Sequence, residues 1–190
     1  MAPGRHSISP SNYANILRLF FSLVLFLPLA LSESPSVTLE SGIYRAVVAQ
    51  LPNSPTKVHK YLGIPFAAPP LHHLRFAPPQ PLAPSHLEKD AFTQAPACIQ
   101  NGGNKLLKES EDCLYLNVFV PASEVRNQST GGKTVMVWLF GGGLQSGAAT
   151  VPLYDGSNFA AKQDVILVAP NYRTNVEPLR RTGSFKKGLC

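Results

Sequence analysis

Charge is scarce in this chain. Asp, Glu, Lys and Arg make up 15 % of its 190 residues, against roughly 25 % in ordinary soluble domains, which excludes a chain kept disordered by its own charge. The formal net charge of +6 has no basic face behind it. Residues 1–32 hold Arg5 and Arg18, and residues 177–190 hold Arg180, Arg181, Lys186 and Lys187 against Glu177. The body between them carries eleven basic and ten acidic side chains. A surface able to neutralise many phosphates is therefore absent, and nucleic acid is not an expected partner. No apolar run reaches the roughly 20 residues that span a bilayer as a helix. No C-x-x-C or H-x-x-x-H accompanies the three cysteines, so no metal site is expected. The single glycine triplet, Gly141-Gly142-Gly143, is not followed by Lys-Ser/Thr at Walker spacing and does not complete G-x-G-x-x-G. A phosphate loop is excluded with it.

The amino terminus reads as an address. Arg5 and His6 lie in a polar stretch closed by Arg18, and Leu19 to Leu31 is apolar apart from Ser22. That length suits the core of a secretory signal and is too short for a transmembrane helix. Ala30-Leu31-Ser32 offers small residues at the right spacing for cleavage. Residues 1–32 are therefore expected to be a signal peptide, the mature chain to begin at Glu33, and no membrane contact to remain after its removal. In an oxidising compartment Cys98 and Cys113 can be read as a bridge, with a pair of free buried thiols as the alternative. Closing a loop of that size would constrain the unfolded chain by about 3 kcal/mol. Cys190 is left over. Asn127-Gln128-Ser129 is a glycosylation acceptor in a polar stretch, which suits a surface loop of a secreted protein.

Val37 to Val48 is β-prone around a Ser41-Gly42 turn and predicts an amino-terminal hairpin. Residues 65–96 hold eight of the eighteen prolines, which predicts irregular extended chain because Pro cannot donate to a ladder. Within that stretch Arg75-Phe76-Ala77-Pro78-Pro79-Gln80-Pro81 has SH3-ligand spacing that a secreted chain has little use for, and His72-His73 reads as solvated loop. Leu114 to Val120, Thr134 to Phe140 and Val165 to Ala169 are nearly continuous apolar runs. Strands buried on both faces have this texture. Asp155-Gly156-Ser157-Asn158 offers a helix start before Phe159-Ala160-Ala161-Lys162. Strand, glycine turn, helix, strand is α/β grammar.

Glu111-Asp112-Cys113-Leu114-Tyr115-Leu116-Asn117-Val118 resembles the E-D-C-L-Y-L-N-V pattern of the type-B carboxylesterase and cholinesterase-like lipase family. Tyr61-Leu62-Gly63-Ile64-Pro65-Phe66-Ala67, Leu74-Arg75-Phe76, Val137-Trp138-Leu139-Phe140-Gly141-Gly142-Gly143 and Asn171-Tyr172-Arg173 extend the likeness in the same order. It covers about residues 36–176, so that 33–176 is expected to be the amino-terminal part of such a domain. The resemblance implies a truncated α/β-hydrolase fold, with Gly142 and Gly143 as oxyanion-hole donors and Gly141 in the same loop. It also implies a Cys98–Cys113 bridge and an ion pair between Arg75 and Glu111. The expected substrate of the intact family is a small-molecule carboxylic ester, with no metal or organic cofactor. A rival reading of Glu109, Glu111 and Asp112 as a glycosidase carboxylate cluster is disfavoured, since adjacent acids on a strand face opposite ways.

Two departures bear on activity. Phe140 stands where the family's glycine motif often has His or Tyr, a tolerable change because the donors are backbone groups. An α/β-hydrolase nucleophile sits in G-x-S-x-G and is followed by an acid and a histidine. These residues contain no G-x-S-x-G, and the last histidine is His86. Ser146 follows the glycines in Gly143-Leu144-Gln145-Ser146-Gly147, one position too late for that motif. After Val176 the likeness stops, and residues 177–190 have no apolar periodicity and read as a divergent, disordered tail. The expectation is a secreted ester-hydrolase family member carrying none of the catalytic triad and inactive as given. The alternatives are a secreted non-catalytic cholinesterase-like binding protein and a gene remnant.

Overall fold

A computed structural model describes residues 34–100, 106–122 and 132–174. The expected signal segment 1–32, Asn127, the segment 177–190 and Cys190 lie outside the described residues. The hairpin forms from β1 (Ser36–Leu39) and β2 (Gly42–Gln50), paired antiparallel from Ser36↔Arg45 to Leu39↔Gly42. β2 outruns its partner and pairs onward with β3 (Lys57–Pro65). β3 pairs antiparallel with β7 (Tyr115–Pro121), which pairs antiparallel with β9 (Ile166–Pro170). β8 (Val135–Val137) closes the row, parallel to β9. Among the described residues this gives a seven-stranded sheet of order β1-β2-β3-β7-β9-β8, with β4 (Glu88–Ala91) paired to β2. A separate two-stranded piece joins β5 (Ala97–Cys98) to β6 (Glu109–Ser110).

The link from β8 to β9 passes through the glycine loop and α1 (Ser157–Gln163). Asp155 accepts from the Ser157 N–H at 2.9 Å and from Lys60 Nζ at 2.5 Å, so one carboxylate ties the helix start to β3. Burial raises the Asp155 pKa, and the hydrogen bonds from Lys60 and Ser157 more than reverse that, holding it below the ordinary carboxylate value. α1 covers one face of β7, where Phe119 packs with Val58, Leu62, Ala160 and Leu167. The sheet curls so that the other face of β7, Leu116, Val118 and Val120, packs on Tyr44, Ala46, Tyr61, Ile64 and Ala91. Both faces of β7 being covered explains its nearly continuous apolar run, broken only by the buried Asn117.

Other expectations are corrected. The Thr134–Phe140 run is a strand over three residues only, and Val135, Met136 and Val137 are 56 %, 41 % and 64 % exposed rather than buried. The reason is position: β8 has β9 on one side, and no described helix packs on it. The Pro-rich stretch is not wholly irregular. It contains β4 and a 3-10 turn at His72–Leu74, because residues 88–91 lack proline and meet the open edge of β2. Glu111 and Asp112 lie ahead of β7 and not on a strand, so strand alternation does not govern them.

An apolar strand with an unpaired edge is a template for association. Val135→Lys/Val137→Lys is therefore expected to raise the monomer fraction in sedimentation velocity, with the far-ultraviolet circular dichroism unchanged. An equal distribution of species in both proteins would locate association elsewhere.

Candidate active-site loop

The chain leaves β8 with the Trp138 N–H donating to Val168 O at 2.9 Å, and then turns at Phe140. Phe140 is buried and stacks on Tyr172 with centroids 4.1 Å apart and planes 9° from parallel. The Tyr172 hydroxyl donates to Phe140 O at 2.6 Å, so ring and backbone are gripped together. The aromatic substitute at this position thus anchors the loop's entry.

Beyond it Gly142, Gly143 and Leu144 take φ of 144°, 60° and 62°. The Gln145 and Ser146 N–H groups both donate to Gly142 O, at 3.0 and 3.2 Å. This compact turn needs glycine at 142, since a Cβ there would stand 1.9 Å from Ser146 O. Nothing lies within 4 Å of the Cβ position at Gly143. Among the described residues none accepts a hydrogen bond from the N–H of Gly142 or Gly143. The same holds for Gly141 and Leu144, so four successive backbone donors on exposed residues, Gly142 and Gly143 among them, are left available to an incoming oxygen.

The loop's exit is held by three carboxamides. Gln100 receives the Gly147 N–H on Oε1 at 2.9 Å and returns Nε2 to Gly147 O at 3.2 Å. Asn171 Oδ1 accepts from the Ala149 N–H at 2.9 Å, and Asn117 Nδ2 donates to Ala149 O at 3.3 Å. All three side chains are buried. Asn117 Oδ1 also accepts from the Gly63 N–H, and Asn171 Nδ2 donates to Pro96 O and Cys113 O. Sequence reasoning quoted Asn117 and Asn171 only as letters of a motif and did not single out Gln100. Nothing in a lone glutamine reveals that its amide will be buried against a backbone 47 positions away.

Cys98 and Cys113 are joined with S–S 2.09 Å and Cα–Cα 5.0 Å. Arg75 and Glu111 form an ion pair. With side chains 50 % and 35 % exposed, that pair contributes about 0–1 kcal/mol. Arg173 is exposed, and its Nη1 donates to Arg75 O and Ala77 O at 3.3 and 3.0 Å.

Tyr115 donates to Asp112 Oδ2 at 3.0 Å. Burial, then the Asp112 hydrogen bond and charge, push its pKa up to about 12. A raised folded-state value means a contribution fully present below the ordinary phenol pKa of about 10 and lost as pH rises through about 12. Burial also raises Tyr61 and Tyr172, so phenolate absorbance is expected to show several late-titrating tyrosines, and Tyr115→Phe to remove the step near 12 with the associated loss of stability.

A family model described as the carboxylesterase family matches residues 33–178. Liver carboxylesterase of Sus scrofa is 43 % identical over 137 residues, covering 65 % of this chain and 23 % of that protein. Acetylcholinesterase 1 of Caenorhabditis briggsae is 36 % identical over 170 residues, covering 83 % and 26 %. Carboxylesterase 1D of Rattus norvegicus is 38 % identical over 166 residues, covering 80 % and 28 %. The chain thus spans about a quarter of the length of these relatives. With its curled mixed sheet and glycine loop after a strand, this chain belongs to the carboxylesterase family, whose fold is the α/β-hydrolase fold.

Proposed function

We propose that these residues form the oxyanion-binding part of a secreted, serine-dependent carboxylic ester hydrolase. The observation that carries the proposal is the pair of unpaired N–H groups at Gly142 and Gly143 in a chain of this family. When a serine attacks an ester carbonyl, the carbonyl oxygen gains negative charge, and preorganised N–H donors stabilise it without reorganising. Gly142 and Gly143 supply two such donors. No G-x-S-x-G and no histidine beyond His86 occurs within these 190 residues, so the nucleophile, acid and histidine of that reaction are not among them. The substrate is a small carboxylic ester, as the names of the relatives suggest.

Secretion belongs to the same proposal. It is supported by the apolar run ending at Ala30-Leu31-Ser32 and by the bridged cysteines. Asn127 would then carry glycan.

The deciding experiment exchanges residues 33–176 for the matched segment of porcine liver carboxylesterase. Turnover of p-nitrophenyl butyrate is expected to persist. Gly143→Pro, which deletes one donor and also forces the loop off its φ of 60°, is expected to lower kcat by at least roughly 10²-fold. An active chimera indifferent to Gly143→Pro would remove the oxyanion role.

The 190-residue chain alone is expected to show no saturable esterase activity. Turnover that disappears with Ser146→Ala would instead make Ser146 a nucleophile and overturn this expectation.

A further inference from the structure

We infer that Gln100 is a positioning residue for the glycine loop. Its carboxamide holds the loop's exit at Gly147 and so keeps the Gly142 and Gly143 N–H groups presented. What those groups serve rests on the function proposed above, whereas the clamp itself rests on geometry alone.

A carboxamide carries a donor and an acceptor side by side, so it can pair with both the N–H and the C=O of a single residue, as a neighbouring strand would. Gln100 does this to Gly147 with N···O distances of 2.9 and 3.2 Å. The pairing matters because Gly147 lies against the loop's own entry. Its φ is +112°, and a Cβ there would stand 2.5 Å from Phe140 Cδ2. Entry and exit are therefore in contact, with Tyr172 fixing Phe140 and Gln100 fixing Gly147. Between these two points the Gln145 and Ser146 N–H groups close on Gly142 O.

Gln100 is itself immobilised. Its backbone N–H donates to Glu109 Oε2 at 3.3 Å, and Thr174 Oγ1 donates to Ile99 O at 2.9 Å. The Cys98–Cys113 bridge lies two residues away, and Gln100 is 7 % exposed. A rigid, desolvated amide is a sound holder for a loop with exposed donors, because water cannot easily replace it. Losing it would strand both polar groups of Gly147 and release the exit from Phe140.

The test is amide hydrogen exchange in the 190-residue chain, read by mass spectrometry on peptides covering 141–149, 57–65 and 115–121. Gln100→Met, which keeps bulk and removes both polar atoms, is expected to speed exchange in 141–149 by about tenfold. Exchange in the two strand peptides is expected to stay within about twofold, consistent with local and not global opening. Gln100→Glu keeps the acceptor for the Gly147 N–H and is expected to fall between the two proteins. Unchanged exchange in 141–149 for Gln100→Met, or an equal rise in all three peptides, would overturn the inference. If Gln100→Met does not fold, Gln100→Glu decides, since faster exchange confined to 141–149 supports the clamp and its absence rejects it. Ester turnover is not read here, so failure of the hydrolase proposal leaves this result standing and the reverse holds equally.

Discussion

Backbone that leaves a sheet must still satisfy its N–H and C=O groups, because each one buried without a partner costs about 1–3 kcal/mol. Residues 147–149 leave the ladder after β8, and three buried carboxamides stand in for the missing strand. Gln100 pairs with Gly147, while Asn171 and Asn117 take the N–H and C=O of Ala149. The same amides reach outward to Gly63, Pro96 and Cys113, so β3, the cysteine bridge and the segment after β9 meet at one point. Exchanging any of these side chains for an apolar one would deprive at least two backbone groups of their partners at once.

From that anchor the loop's shape follows. Phe140 is clasped by Tyr172 at one end and Gly147 by Gln100 at the other. The chain between must turn within six residues, which it does by closing on Gly142 O with glycine where a Cβ would collide. The N–H groups of Gly142 and Gly143 are left out of that closure. Their availability comes from how the turn satisfies its other groups, and not from flexibility that a glycine triplet by itself would suggest.

The uncovered β8 fits a chain that spans about a quarter of its relatives. β7 has strand neighbours on both sides, and both its faces are packed. β8 has the same Val-rich texture, yet its residues are exposed. Composition records which strands are built to be covered, whereas coverage depends on what packs there. Among the described residues no helix is long and apolar enough to cross a membrane, so these apolar strands are not explained by a helical span.

Several features were legible in the sequence for physical reasons. The hairpin, the β7 and β9 runs and the helix after Asp155-Gly156 follow from local propensity and turn chemistry. The family was legible from Glu111 to Val118, where Glu111 pairs with Arg75, Asp112 accepts from Tyr115, Cys113 is bridged and Asn117 is buried. The glycine loop was legible as a motif but not as a geometry. β4 went unread because its pairing to β2 is a long-range event inside a proline-rich stretch. Gln100 went unread because a polar side chain is recognised as a backbone partner only once folding has removed water and brought Gly147 to it. Sequence determined the elements and the family; tertiary structure alone decided which polar groups would be shut away together and which would be left without a partner at the exposed loop.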